Sequence, residues 1–194
     1  MKKLKLWFLI IISVLLFNNG STQIIKRNSL LISSNSSNKN LKIKTEKLNN
    51  YYVNVLNFIK KHEGFVDSIY FCPGGHRTIG YGHLITKNDT FTNNSKIDTI
   101  IANKLLINDY NTALKLTTIY APQLSGNKRL AIAHFIFAKG IGIYLNSELK
   151  YYIDNQLPID SILLTYCYYT KNNERIFSEY SLNIRKWELE MFKK

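Results

Sequence analysis

The chain has 194 residues, 26 Lys or Arg against 13 Asp or Glu, and a formal net charge of +13. That length suits one ordinary domain plus a tail, and 45% hydrophobic with 13% aromatic residues supplies a packed core, which excludes wholesale disorder. Three prolines and nine glycines exclude collagen-like and low-complexity fibres, and two cysteines are too few for a disulfide scaffold or a four-cysteine zinc site.

Lys2, Lys3 and Lys5 precede an apolar run from Leu6 to Phe17, broken only by Ser13 and followed by Asn18-Asn19-Gly20-Ser21. The run is too short for an ordinary spanning helix and has the charge asymmetry of an export signal, so residues 1–20 are expected to be a signal peptide. Asn18 and Asn19 make a poor cleavage site. An uncleaved signal would act as an anchor and tether the protein to the membrane. The expected location is therefore exported, periplasmic or secreted, with membrane anchoring as the alternative.

Residues 21–50 read as a flexible linker rich in Ser, Asn and Lys, because Ser33-Ser34-Asn35-Ser36-Ser37-Asn38-Lys39-Asn40 lacks apolar periodicity. Residues 1–50 also hold nine Lys or Arg and only one acid, Glu46, so the globular part is mildly basic. Such a surface suits a polyanion such as anionic cell wall, membrane or nucleic acid, and by itself selects none of them.

The folded domain is expected over 51–194. Tyr52, Val55, Leu56 and Ile59 fall on one stripe, which predicts an amphipathic helix from Tyr51 to His62, with Gly64 as its stop. Ser68 to Phe71 and Arg77 to Ile79 read as strands around a Pro73-Gly74-Gly75 turn, and Gly80-Tyr81-Gly82-His83 bends the chain into Leu84-Ile85. Ser95 is the expected cap of a helix holding Ile97, Ile100, Ile101 and Leu105; Ser125 caps the next, which ends at Gly140. Further helices are expected from Asn146 or Ser147 to Asn155, from Asp160 to Thr170, and from Ser181 onward. The sum is a leading helix, a small antiparallel sheet and about five helices, an α+β fold with segregated strands.

The chemically informative stretch is Glu63 to His83, EGFVDSIYFCPGGHRTIGYGH. A carboxylic acid at a helix end facing a hairpin can be held in a cleft where its pKa rises enough for proton donation. A threonine hydroxyl can hold a water. Glu63, eight residues, Cys72, five residues, Thr78 and then Ile79-Gly80-Tyr81-Gly82-His83 resembles the signature of phage-type lysozymes, the endolysins or muramidases of glycoside hydrolase family 24. Leu105-Leu106 with Asp109, Phe135 to Gly142 with Ser147-Glu148-Leu149, and Arg185, Glu188 and Phe192 extend the resemblance over the whole domain.

The resemblance implies a lysozyme-like fold with a β-sheet lobe, a mainly helical lobe and an active-site cleft between them. It implies hydrolysis of the β-1,4 bond between N-acetylmuramic acid and N-acetylglucosamine, with Glu63 as general acid and Thr78 positioning water. Cys72 stands where many members have Asp; as thiolate it could act as base, as electrostatic stabiliser or as nucleophile. The expected partner is the peptidoglycan glycan strand rather than nucleic acid, the protein a monomer, with no metal or organic cofactor. Two other functions fit the residues. A degenerate fold would bind wall polymer without cleaving it. Cys72 with His76 or His83 would give a wall peptidase or amidase. Asp67 is expected as a solvated loop residue, His83 as a structural residue paired with a carboxylate or backbone, and Cys167 as a core residue or a disulfide partner of Cys72. Two departures from the family pattern are Ala138, where Asn is common, and 171–180, which lacks glycine.

Overall fold

The computed structural model describes residues 35–72, 75–171 and 174–194. The expected signal segment, the first part of the expected linker and Pro73-Gly74 of the turn lie outside them. The chain divides into a unit that ends at Glu46 and a unit spanning Lys47–Lys194. The second unit holds the strands, the buried core and the cleft.

Helix α1, Asn35–Glu63, is longer at its start than the stripe beginning at Tyr51. Residues 42–50 are exposed, so no core holds this part of the expected linker. Once the turns from Tyr51 onward are anchored by Val55, Leu56 and Ile59, each added turn needs no new nucleation, and Lys, Leu, Ile and Glu extend a helix readily. The helix stops as expected, with the Gly64 N–H returning to the Lys60 carbonyl at 3.2 Å.

Three short strands follow, β1 Val66–Phe71, β2 Arg77–Gly80 and β3 His83–Leu84, in an antiparallel sheet of order β1-β2-β3. Tyr70 pairs with Thr78, Phe71 with Arg77, and Ile79 with His83. Ile79 is buried with Ile97 and Ala102 beneath the sheet. Gly80 carries φ +70°, and a Cβ there would come within 3.2 Å of both Ala102 Cβ and Ile97 Cδ1. Only glycine lets the sheet sit this close to the next helix.

That helix, α2 Thr99–Tyr120, starts later than the Ser95 cap predicts. Asp98 is the cap, its Oδ1 accepting the Ile101 N–H at 2.8 Å. Ser95 instead accepts the Thr92 N–H in a turn, and the Ile97 N–H donates to the Asp67 carbonyl, so the intervening residues are bound to the sheet. Helix α3, Gly126–Lys139, is flanked by Ser125 and Gly140 as expected, although Ser125 makes no side-chain cap bond. Its residues Leu130 to Ile136 are all buried. This middle stretch, apolar except for His134, suits the centre of a core, and α3 packs between α2 and helix α7, Glu179–Lys193.

Between them lie α4 Ile141–Leu145, α5 Glu148–Asp154 and α6 Asp160–Leu164. Ser147 caps α5 by accepting the Lys150 N–H at 3.0 Å. The helix expected to run from Asp160 to Thr170 stops at Leu164, and the chain turns to strand: β4 Tyr168–Lys171 pairs antiparallel with β5 Glu174–Phe177. The aromatic run Tyr166-Cys167-Tyr168-Tyr169 with Thr170 favours a pleated, half-buried surface over a helix. Helix α7 opens two residues before its expected start. Ser178, not Ser181, is the cap, accepting the Ser181 N–H at 3.0 Å.

One polar cluster is buried in this core. Glu188 is 0% and Arg185 1% exposed. Glu188 Oε1 accepts from His134 Nδ1 at 2.5 Å and from Arg185 Nη2 at 3.1 Å, and the Arg185 guanidinium lies 4.9 Å over the Phe135 ring. Removing the acid strands a buried cation and an imidazole. Glu188→Gln should therefore lower the unfolding free energy by about 3–5 kcal/mol, read as a fall in urea midpoint; an unchanged midpoint would mean the cluster contributes nothing net.

Candidate active site

Glu63 is the last residue of α1 and opens on a cleft of about 490 Å³. The walls are Gly82, His83 and Leu84 of the sheet, Asp109, Thr112 and Ala113 of α2, and Phe137 and Ala138 of α3. Gly82, at φ +83°, runs beside the carboxyl: a Cβ there would make an ordinary contact, 3.5 Å from Glu63 Oε2. The missing side chain keeps this flank of the carboxyl open, and the backbone conformation suits glycine.

Although Glu63 remains open along the cleft, the protein around it withdraws enough water to raise its carboxyl pKa above the ordinary value. The charges of His134 and His62 oppose that shift and do not cancel it. The neutral acid is thus favoured more than in a free carboxylate. A carboxyl whose folded pKa is raised stabilises the fold fully below its ordinary value near 4.3 and loses that contribution as pH rises through the folded value. Glu63→Gln should therefore raise the thermal midpoint at pH 7 and give no gain near pH 3. An equal gain at both pH values would mean that the surroundings do not raise the pKa of this carboxyl.

Cys72 and Thr78 do not line this cleft. They are joined to each other through one acceptor: the His76 carbonyl accepts the Cys72 N–H and the Thr78 Oγ1–H, each at 3.0 Å. Thr78 is buried, 3% exposed. Tyr70 lies opposite Thr78 in the sheet, and its phenol pKa is raised by burial first and then by the charges of Glu63 and Cys72. Tyr70 is thus paired in the sheet with Thr78 and lies within the electrostatic influence of Glu63 and Cys72. No disulfide joins Cys72 to Cys167, which is buried as a core residue. Arg77, adjacent to His76, donates to Asn93 Oδ1 at 3.0 Å. Asp67 is an exposed residue whose carboxylate lies 3.9 Å from Lys96.

His83 is held between carboxylates. Its Nδ1 lies 2.8 Å from Asp109 Oδ2, and its Nε2 lies 3.4 Å from Asp89 Oδ1. Asp89 is fixed in turn by the Thr86 N–H at 2.7 Å and hydroxyl at 2.8 Å. The hydrogen bond to Asp109 raises the His83 pKa, and burial opposes it. This stabilisation is complete below the ordinary histidine value near 6.5 and is lost as pH rises through the folded value. Asp109→Asn should cost about 1–2 kcal/mol at pH 5 and clearly less at pH 9, by urea denaturation at both pH values. A loss independent of pH would exclude the charged pair.

Sequence reasoning missed two tyrosines that lie off the cleft wall, Tyr70 and Tyr180, whose phenol pKa values are raised by burial first and then by Glu63. Tyr180 Oη donates to the His62 carbonyl at 2.9 Å, tying α7 to the turn that carries Glu63. Phe58, one turn earlier on α1, is stacked on His62 at 3.8 Å and on Trp187 of α7 at 3.6 Å. Neither tyrosine belongs to a local motif, and both arrive through tertiary pairing. Among the described residues, no group of three His, Cys, Asp or Glu side chains is arranged to hold a metal ion.

The helical lobe, the small sheet and a cleft carrying an acid at a helix end define a lysozyme-like protein. The Phage lysozyme family model matches residues 60–176, more than half of the chain. The chain belongs to the phage lysozyme family, and it is a peptidoglycan hydrolase of the glycoside hydrolase class.

Solved structures of similar fold include the endolysin from Escherichia coli O157:H7 phage FAHEc1, with 19% identity, TM-score 0.62, and coverage of 71% of this chain and 89% of that one. The muramidase domain of SpmX from Asticaccaulis excentricus has 19% identity, TM-score 0.64, and coverage of 72% and 95%. A P22 lysozyme variant has 20% identity, TM-score 0.57, and coverage of 73% and 96%. At these identities the likeness is one of fold. No curated protein matches the chain in sequence.

Proposed function

We propose that the protein is an exported muramidase that cleaves the β-1,4 bond between N-acetylmuramic acid and N-acetylglucosamine, with Glu63 as general acid. The observation that carries this reading is the Glu63 carboxyl, open to the cleft and shifted toward its protonated form. A neutral acid beside a glycosidic oxygen can donate its proton as the bond to the anomeric carbon breaks. Thr78 has its own hydroxyl proton committed to the His76 carbonyl, so its lone pairs remain to accept from a water and orient it. Cys72, two residues from Tyr70 and within the electrostatic reach of that phenol, stands as thiolate for the second carboxylate. It stabilises positive charge at the anomeric carbon or takes the proton of the attacking water. Export rests on Lys2, Lys3, Lys5 and the apolar run Leu6 to Phe17, and an uncleaved run would tether the enzyme to the membrane.

The peptidase reading, with His76 or His83 as base to Cys72, loses one of its two candidate bases. The two ring nitrogens of His83 face Asp109 and Asp89, so neither is left to activate the Cys72 thiol.

The test is digestion of purified peptidoglycan by the full chain, with reducing ends and free amines assayed in parallel. New reducing ends are expected, no new amines, and a loss of about 10²–10⁴-fold in Glu63→Gln. Unchanged turnover in Glu63→Gln would overturn the assignment, and amines without reducing ends would make the enzyme a peptidase or amidase.

A further inference from the structure

A glycosidase that cuts within a strand must hold sugar on both sides of the bond over its acid. The cleft beside Glu63 supplies one side, running past Gly82, His83, Asp109 and Phe137. Tyr180 is not on its wall. It nevertheless stands next to Glu63, because its hydroxyl is bonded to the carbonyl of the preceding residue, His62.

The ring is both fixed and available. The bond at 2.9 Å spans 118 positions of sequence and anchors the phenol at its tip. The residue is 50% exposed, and its aromatic neighbour, the ring of His62, lies 6.1 Å away and tilted by 48°. An anchored aromatic ring with an open face loses little conformational freedom on binding. The axial C–H face of a pyranose is weakly positive and apolar, and it packs on the negative face of an aromatic ring. The flanking chain also bears on this position. Residues 171–180 contain no glycine, and Tyr180 lies in the first turn of α7, directly after the β4–β5 hairpin.

We propose that Tyr180 is a substrate-binding residue, the stacking platform for an amino sugar beside Glu63 and beyond the cleft wall. The inference rests on the muramidase reading above and adds to it a second half of the glycan path. The phenol of Tyr180 feels the Glu63 carboxylate, which raises its pKa beyond the larger effect of burial. The bond to the carbonyl of His62, the residue before Glu63, is what keeps the ring beside the acid.

The experiment uses the full chain and a soluble peptidoglycan tetrasaccharide, with kcat and KM measured separately. Tyr180→Ala and Tyr180→Leu should raise KM about tenfold, which is about 1.4 kcal/mol of binding. Tyr180→Phe, which keeps the ring, should stay within about twofold. Tyr180→Leu keeps the bulk and guards against a folding defect, which circular dichroism and the thermal midpoint would report. Direct binding of the tetrasaccharide to Glu63→Gln, with and without Tyr180→Leu, should weaken by the same factor. KM unchanged in Tyr180→Leu overturns the inference. So does Tyr180→Phe failing as badly as Tyr180→Leu, since the His62 hydrogen bond would then be the whole role. Glu63→Gln with full turnover would instead overturn the underlying reading, and the two failures are distinguishable.

Discussion

The placement of one carboxyl, that of Glu63, depends on two pieces of backbone arriving at the same point. Helix α1 ends there because Gly64 follows, and the β2–β3 turn reaches there through Gly82, whose φ of +83° is a conformation that favours glycine. Neither piece could hold the other alone. The sheet is three short strands, too few residues to be stable without a helix beneath it. It is held down by Ile79, Ile97 and Ala102, where Gly80 permits the close approach to α2. The environment that raises the Glu63 pKa is therefore a product of packing between a helix end and a sheet that owes its position to a second helix.

Behind that point the helical lobe carries an unusual load. His134, Arg185 and Glu188 are polar groups in the driest part of the core. Several of their atoms have no hydrogen-bond partner among the described residues: Arg185 Nε and Nη1, and Glu188 Oε2. An apolar core would be more stable by ordinary accounting. The arrangement does have an electrostatic effect at the cleft, since the charge of His134 acts on Glu63 and lowers its pKa against the larger effect of burial. Burial and the histidine oppose each other, so the proton affinity of Glu63 is set by a balance and not by burial alone. Sites that trade stability for such tuning are common where chemistry is done.

Much of this was legible in local sequence. Gly64, Gly80 and Gly82 mark a helix stop and two turns, and the period of Val55, Leu56 and Ile59 marks the buried face of α1. The Glu63–Cys72–Thr78 spacing leads to a cleft that Glu63 lines and that Cys72 and Thr78 do not. Local signals failed in two kinds of place. At Ser95 and Asp98 two good cap residues compete, and the choice is made by the Ile97 N–H reaching the Asp67 carbonyl, a contact across the sheet. From Tyr166 to Thr170 a helical continuation competes with strand-forming residues, and β5 decides by pairing with them. Tyr70 and Tyr180 have no sequence pattern around them, because their neighbours at the site are brought by register and by α7.

These constraints converge on Cys72. In a two-carboxylate glycosidase the second acid is ionised without help at neutral pH, whereas a thiol near its ordinary pKa is mostly neutral. The thiolate role proposed for Cys72 therefore requires surroundings that ionise it. Thr78 is tied to the same His76 carbonyl as the Cys72 amide, so one turn fixes both residues relative to each other. The proposed chemistry thus asks the surroundings of Cys72 for an ionisation that an aspartate reaches unaided.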